Sequence, residues 1–310
     1  MSLLGALPAR FRRERVLIIG CGDVGQRAAS ILGSGRRVRL LALTSSAARV
    51  DALRAQGITP LVGNLDQPRS VQRLAGLATR VLHLAPPPTT DTPGTAPRDP
   101  RTRALVKALM QRAAPRALVY GSTSGVYGDR QGAWVRETDA VKPHTARALR
   151  RVDAEATVSG WGRMVGARTT VLRIPGIYAL DREGGTPRER LQRGTPVLAP
   201  EDDVYTNHIH ADDLARACVL AVWRGRAQRC LNVCDDTELK MGDYVDHAAD
   251  LFGLPRPPRV TREAAKVTLP PMLLSFMSES RRLDNQRMKT ELGLSLHYPS
   301  IAEGLRGQPV

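Results

Sequence analysis

The stretch Val16-Leu17-Ile18-Ile19-Gly20-Cys21-Gly22-Asp23-Val24-Gly25 decides the fold. Its first four residues are apolar and mostly β-branched, which predicts a buried parallel strand. Apolar residues then recur at helical spacing as far as Leu32, which predicts a helix packed on that strand. The stretch therefore predicts a strand, a tight turn and a helix at the start of an α/β fold.

Each glycine of this turn has a physical task. Gly20 permits the tight turn, Gly22 lets a diphosphate approach the backbone, and Gly25 lets the helix lie close to the strand. The start of the helix adds unpaired N–H groups and a positive dipole end. We predict a dinucleotide site at Gly20, Gly22, Asp23, Val24 and Gly25; the alternative is a glycine-rich turn in an ordinary strand–helix unit.

Composition limits the class of protein. The chain has 310 residues, 42% of them hydrophobic, which suffices for a large buried core. No apolar run is long enough to span a bilayer, and no signal-peptide pattern precedes the first strand. The four cysteines have neither metal-binding nor redox spacing. We expect a reduced, cytoplasmic protein that has no disulfide framework and no membrane partner.

The formal net charge of +16 comes mostly from arginines spread along the chain. No basic tract, aromatic stacking platform or known nucleic-acid motif accompanies them. The pattern therefore favours a solvated arginine-rich surface over a nucleic-acid partner, with some arginines serving an anionic cofactor or substrate. The charge pattern does not indicate the oligomeric state.

Residues after the second predicted strand bear on the choice between NAD and NADP. Thr44 and Ser45 follow that strand, with Arg49 just beyond, and no Asp or Glu occurs at 42–47. An acidic residue here suits the ribose 2′-hydroxyl of NAD, whereas a small polar residue near an arginine suits the 2′-phosphate of NADP. The sequence favours NADP over NAD, unless Arg49 is simply an exposed helix residue.

Two further strand ends are predicted to contribute to the cofactor site. Asn64 and Leu65 follow a third strand, at a place that commonly lies against adenine; the alternative is a turn before the next helix. Leu84, Ala85 and Pro86 end a fourth strand and begin a loop rich in Pro, Thr and Gly. Ligands of open α/β sheets bind at such carboxyl ends.

A series of motifs runs along nearly the whole chain, and their order and spacing together are specific. They are the glycine turn at 20–25, His83-Leu84-Ala85, Ser122-Thr123-Ser124-Gly125-Val126-Tyr127-Gly128, Trp134-Val135, Glu137, Arg173-Ile174-Pro175-Gly176-Ile177-Tyr178, Asn207-His208-Ile209-His210-Ala211-Asp212-Asp213, Leu231-Asn232-Val233 and Glu291-Leu292-Gly293. In these motifs the chain resembles the extended short-chain dehydrogenases/reductases of the NAD-dependent epimerase/dehydratase group, and within it an atypical subgroup.

The resemblance implies an α/β fold, namely a Rossmann-like, doubly wound parallel sheet with a smaller, interleaved C-terminal substrate domain. The cofactor domain is expected at 1–178 together with about 207–236. The substrate-binding part is expected at 179–206 and 237–310.

The resemblance also assigns residues near the reacting end of the cofactor. Ser122, Pro175 and Ile177 are expected to contact the cofactor, the last two in the turn that passes the nicotinamide. Thr123 corresponds to the family hydroxyl that bonds the reacting oxygen.

One departure from the family pattern concerns catalysis. Family members carry a Tyr, and a Lys four residues later, on the long helix after the Val-Tyr-Gly run; the Lys lowers the pKa of the Tyr, which passes the proton. Those positions here hold Arg147 and Arg151, and arginine stays protonated. Either another group carries the proton or only binding remains. At this spacing the two arginines lie on one helix face. That face is either a cationic patch at the site or a solvated surface.

Tyr127 is a candidate for the missing proton donor. It lies on the substrate side by the resemblance, and a guanidinium from Arg147 or Arg151 would lower its pKa. We hypothesise that Tyr127 donates the proton while Thr123 polarises the oxygen. The alternative is that Tyr127 packs in the core.

Arginines near the predicted substrate part suit an anion. Those at 182, 188, 190 and 193 lie where extended family members begin that part, and sugar nucleotides would suit them; solvated loop residues are the alternative. Ser280-Arg281-Arg282 could likewise reach the substrate or form a surface cap.

His208, His210 and Asp212 alternate along a predicted strand and could converge on a metal ion. The family carries this pattern as structure, and Asp212 or Asp213 as the N-cap of the next helix is the simpler account. We therefore expect no metal site.

Two functions are consistent with these observations. The first is an NADP(H)- or NAD(H)-dependent oxidoreductase or epimerase for an anionic or sugar-derived small molecule, with a non-standard acid/base. The second is a catalytically inactive NAD(P)-binding sensor or partner-binding protein. Loss of the Tyr/Lys pair favours the second, and the Thr123 region favours the first.

Overall fold

The computed structural model describes residues 13–34, 38–89 and 97–307. In chain order, its strands are β1 (Glu14–Ile19), β2 (Val38–Thr44), β3 (Thr59–Val62), β4 (Arg80–His83), β5 (Ala117–Thr123), β6 (Trp134–Val135), β7 (Arg168–Ile174), β8 (Gly176–Tyr178), β9 (Val197–Leu198), β10 (Tyr205–Thr206), β11 (His208–His210), β12 (Arg229–Asn232), β13 (Leu239–Lys240), β14 (Arg259–Val260) and β15 (Arg282–Leu283). Its α-helices are α1 (Asp23–Gly33), α2 (Val50–Ala55), α3 (Pro68–Val71), α4 (Pro100–Leu109), α5 (Ala146–Val165), α6 (Arg188–Gln192), α7 (Ala211–Arg224), α8 (Met241–Phe252), α9 (Arg262–Thr268), α10 (Pro271–Phe276), α11 (Gln286–Leu292) and α12 (Ile301–Arg306). Short 3-10 turns occur at Ala47–Arg49, Gln72–Leu74 and Ser124–Tyr127.

Seven of these strands form one parallel sheet in the order β12-β7-β5-β4-β1-β2-β3. The chain runs outwards from β1 to β2 and β3, and then returns to β4 on the other side of β1. The strand order therefore reverses between β1 and β4. Open α/β sheets bind ligands at the carboxyl ends of the strands at such a point.

Alternate residues of β1 pack on opposite faces of the sheet. Val16 and Ile18 belong to an apolar cluster with residues of α1 and α7, whereas Leu17 and Ile19 belong to a second cluster with residues of α4 and α5. All four side chains are fully buried, as in a strand that helices cover on both faces. The predicted buried strand and the Rossmann-like, doubly wound α/β fold are confirmed.

Of the smaller apolar clusters outside the sheet, two lie among residues of the C-terminal half of the chain. One contains Leu191 and Tyr244, and the other contains Leu198, Met241 and Leu269. Helices α6, α8, α9, α10 and α12 pack around them. The predicted domain boundaries stay a prediction. Throughout the described ranges, no helix combines the length and apolar character needed to cross a membrane.

A buried ion pair joins α5 to β7. The Glu155 carboxylate accepts hydrogen bonds from the Arg173 guanidinium at 2.8 and 3.2 Å and from the Ser122 hydroxyl at 2.5 Å. Glu155→Gln would leave the Arg173 charge buried without a counter-ion. We therefore expect this variant to lower the free energy of unfolding by about 3–5 kcal/mol, measured by urea denaturation.

The control for this variant breaks an exposed ion pair. Asp51 and Arg54 lie 3.1 Å apart with side chains 94% and 66% exposed. Asp51→Asn should unfold at the urea concentration of the parent protein because solvent already screens this pair. Equal midpoints for Glu155→Gln and Asp51→Asn would show that the buried pair contributes nothing to stability.

Candidate functional site

The glycine turn at 20–25 joins β1 to α1. Gly20 has φ +87°, and a Cβ there would lie 2.4 Å from the Ala85 amide nitrogen. A Cβ on Gly25 would lie 2.8 Å from the Gly20 carbonyl oxygen, whereas one on Gly22 would meet no atom within 4 Å. Gly20 thus makes the turn, Gly25 permits close helix packing, and the space over Gly22 is open. The residues present fit a diphosphate lying on this turn.

The residues that follow β4 lie against one side of the glycine turn. The amides of Leu84 and Ala85 donate to the Ile19 carbonyl oxygen at 2.7 and 3.0 Å. Helix α1 begins at Asp23, followed by Val24, and no side chain caps its first amides. Uncapped amides at a helix start attract anions.

Arg49 also lies beside the glycine turn. Its Nη2 donates to the Cys21 carbonyl oxygen at 2.6 Å. Thr44 is buried at the end of β2, and its hydroxyl oxygen accepts from the Ser46 amide, whereas Ser45 is exposed. Arg49 therefore contacts the glycine turn, and the role of Thr44, Ser45 and Arg49 in selecting NADP stays a prediction.

The loops after β3 and β4 are joined by an ion pair. The Asp66 carboxylate accepts from Arg101 at 2.7 and 2.6 Å, and Arg101 also donates to the Pro86 carbonyl oxygen at 3.0 Å. Asn64 Oδ1 accepts from the Asp66 amide, and Leu65 is buried. The prediction that Asn64 and Leu65 lie against adenine stays a prediction. Residues 90–96 of the predicted loop lie outside the described residues.

A cavity of about 920 Å³ lies beyond the carboxyl ends of β5 and β7. Thr123, Pro175 and Ile177 line the part next to the sheet. Among the described residues, a single carboxylate, that of Glu279, faces six arginines of the lining. These are Arg147, Arg151, Arg182, Arg190, Arg193 and Arg281.

Arg147 and Arg151 lie on the cavity side of α5. Arg151 Nη1 donates to the Gly121 carbonyl oxygen at 2.6 Å and to the Tyr120 hydroxyl at 3.1 Å. The Arg147 guanidinium lies 5.2 Å from the centre of the Phe276 ring. The two arginines therefore form a cationic patch at the cavity, but neither can pass a proton, because a guanidinium stays protonated.

Tyr127 does not line the cavity. Its side chain is fully buried, and its hydroxyl donates to Asn232 Oδ1 at 2.7 Å. Burial raises the pKa of Tyr127 above its usual value. The hypothesis that Tyr127 donates a proton to a substrate is therefore wrong, and the alternative of a packed core tyrosine is confirmed. The Ser122 hydroxyl is likewise engaged in the core by Glu155, which argues against its predicted contact with the cofactor.

Helix α7 starts differently from the prediction. His210, rather than Asp212 or Asp213, is its N-cap, because His210 Nδ1 accepts from the Asp212 amide at 3.2 Å. Asp212 instead pairs with Arg27 at 2.5 Å. Burial lowers the pKa of His208 to about 3, so this cavity-lining imidazole is neutral. In the parts of the chain that the structure describes, no group of three or more His, Cys, Asp or Glu could hold a metal ion.

Three of the four arginines predicted to meet an anion after β8 line the cavity: Arg182, Arg190 and Arg193. The fourth, Arg188, stacks 4.1 Å from the centre of the Phe252 ring, outside the cavity lining. Burial lowers the pKa of Arg190, which has no carboxylate within ion-pair distance among the described residues. An anionic ligand in the cavity would supply the negative charge that Arg190 lacks.

Glu279 is a site residue that no sequence motif singles out. Its Oε2 accepts from Arg281 Nη1 at 2.7 Å, and the two side chains are 13% and 11% exposed. A Cβ on Gly125 would lie 3.6 Å from Thr123 Oγ1 and 4.0 Å from Glu279 Oε2, so both oxygens approach the same point. The only sequence signal nearby is Ser280-Arg281-Arg282, of which Arg281 reaches the cavity.

Known proteins resemble this chain in sequence and in fold. Residues 16–234 match the model of the family described as the NAD dependent epimerase/dehydratase family. A 3-diazoavenalumate denitrifying reductase from Streptomyces sp is 33% identical over 168 residues, or 52% of each chain, so the match spans about half the length of this curated relative.

Solved structures extend the likeness over almost the whole chain. A functionally unknown conserved protein from Silicibacter pomeroyi DSS is 31% identical, with 95% of this chain and 97% of that chain covered and a TM-score of 0.77. UDP-glucuronic acid 4-epimerase from Bacillus cereus, in complex with NAD, is 14% identical with the same coverage and a TM-score of 0.74. At that identity the second likeness shows the fold alone.

Proposed function

This chain belongs to the NAD dependent epimerase/dehydratase family, and we propose that it is an NAD(P)-dependent oxidoreductase or epimerase for an anionic or sugar-derived small molecule. The position of the arginine-rich cavity carries this proposal. The cavity begins at Thr123, Pro175 and Ile177, on the same edge of the sheet as the glycine turn. A nucleotide on that turn would extend along this edge towards the cavity.

The cofactor would be held by residues from several strand ends. The backbone at Gly22, Asp23 and Val24 would take the diphosphate, and a bound nicotinamide would supply hydride transfer. The chain's own residues bind, orient and handle the proton. The remaining proposed contacts are Thr44, Ser45 and Arg49 at the ribose, Asn64, Leu65, Leu84, Ala85 and Pro86 along the adenine side, and Pro175 and Ile177 at the nicotinamide.

Glu279 takes the place of the missing proton carrier in this proposal. A substrate hydroxyl bound by Thr123 would lie near the Glu279 carboxylate, which accepts its proton when the carbon is oxidised and returns it on reduction. Arg281 fixes the orientation of that carboxylate by its 2.7 Å bond. Arg147 and Arg151 keep positive charge at the same place, which would stabilise negative charge on the reacting oxygen.

The cavity lining and one relative support an anionic substrate. Arg147, Arg151 and Arg190 form no ion pair within the described chain. The Streptomyces relative is named for 3-diazoavenalumate, which is an anion. Guanidinium groups bind carboxylates and phosphates well because they donate in pairs.

The alternative is a protein that binds NAD(P) without turnover and acts as a sensor or binds a partner. The replacement of the Tyr/Lys pair and the burial of Tyr127 favour it. A thermal-shift comparison of NAD and NADP establishes binding first, because a ligand of the native state raises its stability. Incubation of UDP-glucose or UDP-glucuronic acid with NAD⁺ or NADP⁺, and of aromatic diazo carboxylates with NADPH or NADH, then tests turnover. Loss of reduced-nicotinamide absorbance, or a new epimer, supports the enzyme; binding without either supports the sensor.

Arg49 gives a test of cofactor preference. Arg49→Met removes the guanidinium beside Cys21, which we propose binds the 2′-phosphate, so NADPH affinity should fall about tenfold while NADH affinity stays unchanged. Titration of reduced-nicotinamide fluorescence measures both affinities. Arg54→Met, which changes an exposed arginine five residues further along the chain, is the control. Equal losses for NADPH and NADH would refute the 2′-phosphate assignment.

A further inference from the structure

Arg182 lines the cavity and also contacts the glycine turn. Its Nη1 donates to Asp23 Oδ2 at 2.5 Å, and Asp23 is the first residue of α1. The Arg182 side chain is 28% exposed. It lies on the loop after β8, which follows the Pro175 and Ile177 edge of the cavity. Arg182 therefore spans from the proposed nicotinamide end of the cofactor to its proposed diphosphate end.

Asp23 has a second partner that stays in place. Arg27 donates to Asp23 Oδ1 at 3.0 Å, to Asp181 at 2.6 Å and to Asp212 at 2.5 Å. Two guanidinium groups thus face three carboxylates at the start of α1. A diphosphate placed on the turn would meet the Asp23 carboxylate, and like charges at short range repel.

We propose that Arg182 exchanges partners, leaving Asp23 for the cofactor diphosphate when the nucleotide binds. A diphosphate carries more negative charge than one carboxylate and accepts paired hydrogen bonds from a guanidinium. Asp23 keeps Arg27, so the exchange leaves no bare carboxylate behind. This inference rests on the proposed nucleotide site at the glycine turn.

The exchange connects cofactor binding to the substrate cavity. Arg182 lies in a tight turn in which its carbonyl oxygen accepts from the Gly185 amide at 3.0 Å. A Cβ on Gly185 would lie 2.6 Å from the Ala179 carbonyl oxygen and 2.8 Å from Arg182 Cβ, so the loop backbone is closely packed. The side chain, rather than the loop, would therefore move. Arg182 is thus a positioning residue that sets the cavity wall according to whether cofactor is present.

The test compares variants on the two sides of one ion pair. Arg182→Met should weaken binding of both NADPH and NADH about tenfold, because the diphosphate loses its partner. Asp23→Asn should strengthen binding of both, because it frees Arg182 and removes a repelling charge. Adenosine 2′-phosphate, which lacks a diphosphate, should bind all variants alike. Arg188→Met, on the adjacent helix α6 and outside the cavity lining, should bind NADPH like the parent.

A purely structural ion pair gives a different pattern. Arg182→Met and Asp23→Asn break the same ion pair. If that ion pair is only structural, both variants should lower the thermal midpoint, and both should weaken nucleotide binding. That pattern, or unchanged affinity in Arg182→Met, overturns the exchange while leaving the proposed function intact. Failure of the parent protein to bind either nucleotide overturns both.

Discussion

Gly22→Val should abolish nucleotide binding while leaving the fold intact. Gly22 has φ −79° and ψ −153°, an extended conformation outside the left-handed region, and a Cβ there would lie within 4 Å of no atom beyond its own chain neighbours. The added side chain would instead fill the space proposed for the diphosphate. We expect NADPH and NADH affinity to fall about 100-fold or more, or roughly 2.8 kcal/mol, by fluorescence titration.

The neighbouring glycine supplies the matched control. In Gly25→Val the new Cβ would lie 2.8 Å from the Gly20 carbonyl oxygen, so this variant should lower the thermal midpoint as well as binding. Gly22→Val should keep the midpoint of the parent. Normal NADPH affinity in folded Gly22→Val would mean that no diphosphate lies on this turn.

Replacement of Glu279 by glutamine should remove turnover without removing cofactor binding. The amide has nearly the shape of the carboxylate but cannot accept a proton, and a positioned general acid–base contributes about 100-fold or more to a rate. Once a substrate is identified, kcat of Glu279→Gln should fall by about that factor at unchanged NADPH affinity.

Two further measurements separate a proton carrier from a residue that only shapes the cavity. Glu263→Gln, an exposed residue of α9 outside the cavity lining, should turn over substrate like the parent. Glu279→Gln removes the only carboxylate among the described lining residues, so an anionic probe such as UDP-glucuronic acid should bind it more tightly. Full activity of Glu279→Gln would exclude the acid–base role.

The sequence predicts best where one short segment carries all the information. The glycine turn at 20–25, the strand before it and the helix after it follow from contiguous residues, because strand burial, turn geometry and helix packing are local. Thr123 and Arg147 lie at the cavity as predicted because the ends of parallel strands and one helix face have fixed directions.

Errors arise where the outcome depends on residues far apart in the sequence. Tyr127 lies only four residues after Thr123, yet the 3-10 turn between them directs it into the core, where Asn232 accepts its hydroxyl. The pairing of Arg182 with Asp23 and the approach of Glu279 to Thr123 likewise join distant segments. No local sequence pattern encodes such pairs.

The strands β6 and β15 pair Trp134 with Arg282 and Val135 with Leu283. This pairing forms late in synthesis on the ribosome, because β15 lies far downstream of β6 in the sequence. Every strand of the seven-stranded sheet has been synthesised by Asn232, whereas Glu279 and β15 emerge later. Domains begin to fold while synthesis continues. Under the proposed function, every strand of the nucleotide-binding sheet is thus synthesised before Glu279, the carboxylate proposed to carry the proton.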